Sequence, residues 1–555
     1  MASERHPNAG ALKTDVLIVG AGPAGLSLAI ELGSQSVDCM VVERNSRVGL
    51  APRAKTTNVR SRELMRRWGI ADRLAAESPF GVDYPAEVVF ATRLGGHELA
   101  RFRNVFYASP VRDDRFSEHA QWIPQYKVEK VLQSRVAELP HVTLRFSTSL
   151  EHFEQDADGV TALLAQADGD GLVGKGAPTM TVRARYLVGA DGSRSTVRQQ
   201  LGVKMEGVSP LSHHHNIIFR SPGLAERHEL GKALMYWLLN PELPAVTAPM
   251  DSDDRWTFGC HKLSDQSIDP VALIRTGLGL GPDLPVEVLS RDEWVAHQLI
   301  ASDYARGRVF MVGDACHLHP PFGGYGMNMG IGDSVDLGWK LAAVLKGWGG
   351  PQLLPSYQVE RRPVHRRVID EAVVNHTASV IQLTLAGIED EGEQGEAVRA
   401  QAGARILADK RREFDSLGVV LGTGYGESPI LWPEGGEEHV HQDSMSYKPS
   451  ARPGQRAPHA WLQEGRQQGA SLFDHFRSDG FTLLVTRSGA RRAATVIEDE
   501  AARLGIPLSV IAPDSPKLAE LYGADHALIR PDQHVAWRGN DAKEGAKALA
   551  RAAGR

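Results

Sequence analysis

The chain is poor in cysteine. Its 555 residues hold three, Cys39, Cys260 and Cys316. They lie far apart with no CxxC pair, which excludes a disulfide framework and a cysteine-built zinc site and points to a reducing, cytoplasmic compartment. Long apolar runs are lacking too. The longest uncharged apolar stretch, Val16 to Ile30, is broken by glycines and Pro23 and is shorter than the ~20 residues of a membrane-spanning helix. The residues before Asp15 lack the apolar core of a secretory signal, so neither a membrane nor export is expected. No sign of charge dominates either. Sixty-two Lys+Arg against 68 Asp+Glu leave −6, which gives no electrostatic footprint for nucleic acid. What remains is an ordinary globular composition, 42% hydrophobic and 23% charged, long enough for three or four domains at roughly 150 residues each.

The order of patterns is that of an α/β protein. Asp15 to Gly20 reads as a buried parallel strand, Ala24 to Leu32 as a helix and Cys39 to Val42 as a second strand, which together make a βαβ unit. Strand-like runs between Val142 and Val188 look like an antiparallel insertion feeding back into that first sheet. Residues 205–294 keep strand character and form a second sheet, and Arg308 to Gly313 returns the chain to the first domain. Residues 357–415, rich in Glu, Arg, Ala and Gln, read as long solvent-exposed helices. The Pro- and Gly-rich stretch 428–458 reads as a linker to a small C-terminal α/β unit.

Gly20-Ala-Gly-Pro-Ala-Gly25 stands where G-x-G-x-x-G has meaning, after a strand and opening a helix. Gly20 allows the tight turn, Gly22 the approach of a pyrophosphate, and Gly25 the close packing of helix on strand. Glu43 ends the second strand, where a carboxylate accepts the ribose hydroxyls of an adenosine half. Asp191 and Asp314 each follow a buried strand, at the edge where open α/β sheets bind ligands.

With Tyr186 to Ser195 and Arg308 to Pro321, the glycine turn resembles the FAD-dependent aromatic hydroxylases of the para-hydroxybenzoate hydroxylase fold. The tail resembles their phenol, chlorophenol and nitrocatechol monooxygenase branch. The resemblance implies a Rossmann-like (GR2-type) FAD-binding domain, residues 1–204 and 295–375, with an inserted β-sheet substrate domain, residues 205–294. Strands from 76–120 would join that second sheet. A helical segment and linker, 376–450, would lead to a thioredoxin-like domain, 451–555, which has no CxxC. It also implies that Arg53, Gln125 and Asp191 contact FAD, that Asp314 holds its ribityl and pyrophosphate region, and that Pro321, Gly324 and Gly326 shape the flavin loop. The N–H groups of Met327 and Asn328 would face the flavin's pyrimidine edge. The implied reaction uses FAD, NADPH or NADH, and O2 to insert one oxygen atom into a phenol through a flavin C4a-hydroperoxide. Within the branch, a ring bearing chloro, nitro or alkyl groups is expected.

The substrate side is less legible. Candidates are His213, His214, His215, Tyr236, Trp237 and His261 on the second sheet, with Tyr325 in the flavin loop. His213 and His215 share one strand face and His214 takes the other. The stretch Lys55 to Asn58 carries no acid where phenol hydroxylases have an activating Asp. Cys316, His317 and His319 fit the flavin motif, so no metal is expected. A small aromatic molecule is the expected partner, and the sheet surfaces permit a homodimer. The rival readings are a flavin reductase or halogenase on the same fold, a non-catalytic FAD-binding protein and a plain nicotinamide dehydrogenase. Trp-x-Trp-x-Ile-Pro, which a tryptophan-type halogenase would carry, is absent.

Overall fold

The computed structural model describes residues 11–46, 54–252, 254–262, 269–378, 383–435, 442–462 and 469–555. Val16, Leu17 and Ile18 are fully buried, as a parallel strand covered on both faces requires. Their strand, Leu12–Val19, pairs in parallel with Cys39–Val42 on one side and Thr179–Gly189 on the other. Val142–Arg145 extends the sheet in parallel at one end, and on the other side Val309–Met311 continues it in parallel before the antiparallel end strand Ala305–Arg306. Thr148–Gln155 and Val160–Gln166 form an antiparallel ribbon against Thr179–Gly189. The helix Pro23–Ser34 starts with proline in its first turn, where a missing N–H costs nothing. It lies against the long helix Gly326–Leu345, and Gly338 allows this, since a Cβ there would stand 2.7 Å from Glu31 Cβ.

The second sheet has eight strands. Met205–Arg220 is central, flanked by Glu287–Ala301 and Arg255–His261. Ala245–Asp251, Met235–Leu238, Glu87–Ala91 and Glu98–Arg103 follow outward. Because side chains alternate, its faces have separate neighbours. Ile217, Phe219, Tyr236 and Phe258 share a core with the helix Pro270–Leu278. Phe90, Trp237 and Ala248 share another with Phe322 of the flavin loop and Phe414. Glu287–Ala301 is one strand running through residue 295.

The expectation of solvent-exposed helices over 357–415 is corrected for the helix Ser356–Thr377. Glu360, Arg361, Val364, His365 and Val368 on it are buried. Its charges are paired in the interior, Glu360 with Lys340 and Arg530 and Arg361 with Asp333. The helix Gly392–Asp409 lies on the edge strand Glu98–Arg103, with Gly403 against the Leu99 carbonyl. The C-terminal unit is a four-stranded sheet in the order Leu508–Ile511, Phe481–Val485, His526–Ile529, Val535–Gly539. Only its first pair is parallel.

Candidate functional site

The crevice at the carboxyl ends of the first sheet is built by close backbone approach. Gly20 has φ +109°, and a Cβ there would lie 2.3 Å from the Ala190 carbonyl oxygen. A Cβ on Gly25 would stand 1.9 Å from the Gly20 oxygen, whereas one on Gly22 would meet nothing within 4 Å. Gly20 and Gly25 therefore close the turn, and Gly22 keeps its outer side open at the N-terminus of the helix Pro23–Ser34. Glu43 is fixed at the next strand end. Its Oε2 accepts the Ala21 N–H at 3.0 Å, and its Oε1 accepts the Asn45 N–H and Nδ2 at 3.0 and 2.7 Å.

Asp191 Oδ2 accepts the Val197 N–H at 3.0 Å, while Oδ1 is buried without a partner among the described residues. Burial raises the pKa of this carboxyl. Asp314 is exposed in the short turn Gly313–Ala315 after the strand Val309–Met311. An open glycine turn at a helix N-terminus, a ribose-height carboxylate and an unsatisfied buried oxygen are what a dinucleotide needs. The residues fit FAD.

The flavin loop is pinned from beneath. Asn328 Nδ2 donates to the carbonyls of Gly324 at 2.7 Å and Thr56 at 2.9 Å, and its Oδ1 accepts the Asn58 N–H at 3.0 Å. Gly324, at φ +66°, brings the loop against Thr56. Pro321 is exposed at the loop's start. Gly326, Met327 and Asn328 form the first turn of Gly326–Leu345. The N–H groups there have no carbonyl within the helix and sit at its positive end. Gln125 opens the helix Gln125–Val136 and donates to Glu129 at 2.7 Å. Arg53 lies outside the described residues.

Three substrate-side expectations are corrected. Trp237 stacks between Phe90 at 5.9 Å and Phe322 at 6.0 Å, which marks the flavin-loop face of the sheet. Tyr236 is on the opposite face, and its hydroxyl donates to the Gly231 carbonyl at 2.6 Å. His215 and His213 alternate onto that opposite side as well, His215 buried near Glu293 and His213 exposed. The cause is strand parity: Ile217 and Phe219 on the same strand face the helix Pro270–Leu278 and fix the residues two apart.

His261 does lie on the flavin-loop side, paired across strands with His214 and 4.5 Å from it between ring centres. His214 stacks on Trp294 at 4.1 Å, and burial lowers its pKa to about 3, helped by His261, His376 and His213. The pair is neutral at physiological pH. Tyr325 packs against Val368, Ala372 and Val419 beneath the loop rather than against the sheet, and burial raises its hydroxyl pKa.

Sequence reading missed Lys55 and Thr257. Lys55 Nζ donates to Thr257 Oγ1 of the second sheet at 2.5 Å. The signal present was a lysine in the stretch searched only for an acid.

Cys316, His317 and Asp333 bring donor atoms within 4.8 Å of one another. Asp333 already accepts from Arg361, His365, His317 and the Gly313 N–H. Burial lifts the Cys316 thiol well above its ordinary range, which keeps it protonated. The group serves as a buried hydrogen-bond network. Among the described residues no helix is long and apolar enough to cross a membrane.

Residues 13–372 match the family described as FAD binding domain, and residues 450–555 the family described as aromatic-ring hydroxylase, C-terminal. The tetracenomycin B2 monooxygenase-dioxygenase of Streptomyces olivaceus is 33% identical, over 97% of this chain and 97% of the relative. A putative polyketide hydroxylase of Streptomyces halstedii is 32% identical, over 95% and 94%. The solved structure of the flavin-dependent monooxygenase PieE with FAD and substrate has a TM-score of 0.88 at 31% identity, covering 98% of this chain and 100% of that one. These matches span the glycine turn, the second sheet and the tail alike, and the chain belongs to the FAD-dependent aromatic-ring monooxygenases.

Proposed function

We propose that this monooxygenase hydroxylates a phenolic aromatic of fused-ring size, with NADPH or NADH as electron donor. The observation that carries the size is the flavin-loop face of the strand Arg255–His261. Thr257, Gly259 and His261 alternate onto it, so the face runs roughly 13 Å from the Lys55–Thr257 contact to the histidine pair, at ~3.3 Å per residue. Gly259 leaves its middle without a side chain, between Val246 and Asn216 on the neighbouring strands. A single ring fills only part of that length. The polyketide named for the Streptomyces halstedii relative is consistent with it.

Bound FAD, with the nicotinamide donor and O2, supplies the activated oxygen atom. Gly20, Gly22, Gly25, Glu43 and Asp191 would hold its adenosine and pyrophosphate half, and Asp314 and the first turn of Gly326–Leu345 its flavin half. The chain itself positions the ring and excludes water. Trp237 and Phe322, stacked on one another, make this side of the sheet apolar, and the N–H groups at 326–328 supply fixed positive dipoles without a side-chain charge.

The test is NADPH and NADH oxidation with O2 uptake by the yellow holoenzyme, against hydroxyanthraquinones, substituted phenols and nitrocatechols, with mass analysis of products. One added oxygen on a fused-ring phenol supports the reading. Oxygenation of single-ring phenols alone replaces it with the smaller substrate class that the tail resembles. We read the C-terminal unit as thioredoxin-like from its strand order and without redox function, since no cysteine follows Cys316. A cytoplasmic homodimer is the proposed assembly.

A further inference from the structure

Among the described residues Lys55 has no carboxylate partner. It precedes the short strand Thr56–Thr57, whose Thr56 carbonyl holds Asn328 of the flavin loop. Its own carbonyl accepts the Ile123 N–H at 2.7 Å, so its backbone is fixed. The side chain crosses to the substrate sheet, where Nζ meets Thr257 Oγ1, and it passes 5.8 Å from the centre of the Trp122 ring. Among the described residues no carboxylate forms an ion pair with it. Trp122 and Thr257, the side chains facing Nζ from the neighbouring strands, are uncharged. Burial alone lowers its pKa, to about 7. Lys55 is half-buried, and an ammonium withdrawn from water without a counter-charge is costly. Thr257 is the end of the flavin-loop face where the proposed ring begins.

Resting on the aromatic-phenol reading, we infer that Lys55 is the group that receives the phenolic proton of the substrate and holds the resulting phenolate beside the flavin loop. The phenol O–H bond breaks, its proton goes to the lone pair of the uncharged Nζ, and an ammonium–phenolate pair replaces two neutral groups. The electron pair left on oxygen makes the ring electron-rich at the positions ortho and para to it, which an electrophilic oxygen donor requires. Thr257 Oγ1 positions Nζ in both states, because a hydroxyl donates to the free amine and accepts from the ammonium. The substrate class that follows is a phenol able to ionise near neutrality, such as one conjugated to a carbonyl or nitro group.

The test reads the ligand rather than turnover. Alizarin, 4-nitrophenol and 4-nitrocatechol change colour on ionisation, and each is titrated against pH when bound to the oxidised holoenzyme. For wild type the ionisation constant of a bound dye rises at least about tenfold over the free dye, one pH unit in midpoint. Lys55→Met, close in volume and matched for flavin absorbance, loses that rise. Lys55→Arg keeps it, because a fixed cation still stabilises the phenolate, but loses the pH dependence of kcat centred near 7. Equal dye midpoints in wild type and Lys55→Met overturn the lysine assignment and leave the phenol reading standing. A wild type that binds none of the three dyes and oxygenates no phenol overturns both.

Discussion

Arg361 Nε donates to Asp333 Oδ1 at 2.8 Å, and both side chains are buried. Asp333 lies on the helix that begins at the flavin loop, and its second oxygen takes the Gly313 N–H and His317 Nε2, each at 3.0 Å. One carboxylate thus ties the turn that presents Asp314 to the helix that presents Met327 and Asn328. The surrounding positive groups hold its pKa well below the ordinary carboxylate range despite burial.

Arg361→Met is expected to lower unfolding stability by about 3–5 kcal/mol, the cost of leaving a buried charge uncompensated. Because the pair holds two halves of the flavin site, FAD content should fall with Tm. Calorimetry and the flavin-to-protein absorbance ratio check this, and an unchanged Tm refutes it.

Acid should loosen the fold before the carboxylates with ordinary or lowered pKa values protonate. Burial lowers His319 and His459 to about 4 and His365 to about 3, against 6.5 when exposed. A depressed pKa contributes stability that is full above the unfolded value and lost as pH falls toward the folded one. Each histidine therefore removes up to ~1.4 kcal/mol per pH unit below roughly pH 6.5. Tm is expected to be level from pH 8 to 7 and to fall steeply from 6 to 5. A flat Tm across that second interval contradicts the assignment.

Gly22→Ala and Gly25→Ala should separate binding from folding. At Gly25 a methyl meets the Gly20 carbonyl at 1.9 Å, so the turn itself must distort. At Gly22 it meets no protein atom, and only a pyrophosphate against that backbone would be displaced. Gly22→Ala is expected to keep the Tm of the FAD-free protein and weaken FAD binding at least tenfold. Gly25→Ala should lose both. Thermal melts with and without FAD, and fluorescence titration of FAD, read the difference.

Tyr236 and Trp237 are neighbours in sequence on opposite faces. Tyr236→Phe removes a hydrogen bond to Gly231 and should cost about 1 kcal/mol of stability with turnover unchanged. Trp237→Ala removes a ring that Phe322 stacks on and should raise KM for the aromatic substrate at least tenfold. Steady-state kinetics on both variants decide whether the flavin-loop face is the substrate face.

What could be read from sequence was local. The backbone contacts at Gly20 and Gly25 leave no residue but glycine, so the motif shows in the chain. Strand parity was equally legible, since His213 and His215 had to share a face. Which face looks at the flavin was not, because the helix that covers the other one begins at Pro270 and the loop that fixes the site begins near Pro320. The helix Ser356–Thr377 looked solvated for the same reason. Its charges find partners at Asp333, Lys340 and Arg530, far away in sequence. Lys55 was legible as a residue and illegible as a site until Thr257 stood beside it.

Those distant partners make the sharpest prediction. Three carboxyls, Asp336, Glu360 and Asp532, are buried with two cations, Lys340 and Arg530. If all were ionised the cluster would carry a net negative charge in an apolar interior, which is costly. The shifts resolve it: burial drives Asp336 well above the ordinary carboxylate range, whereas Arg530 and its neighbours hold Glu360 and Asp532 below it. Asp336 is therefore the first of the three to take a proton, and its neutral amide analogue should cost the least. Asp336→Asn is expected to change stability by less than about 1 kcal/mol, while Glu360→Gln takes an ionised partner from both Lys340 and Arg530 and costs about 3–5 kcal/mol. Urea unfolding of the two variants at pH 7 separates them, and equal losses would show that the proton sits elsewhere. The cluster joins the C-terminal unit, through Arg530, to the helices Gly326–Leu345 and Ser356–Thr377. The Glu360→Gln variant should accordingly also shed FAD, and Asp336→Asn should retain it.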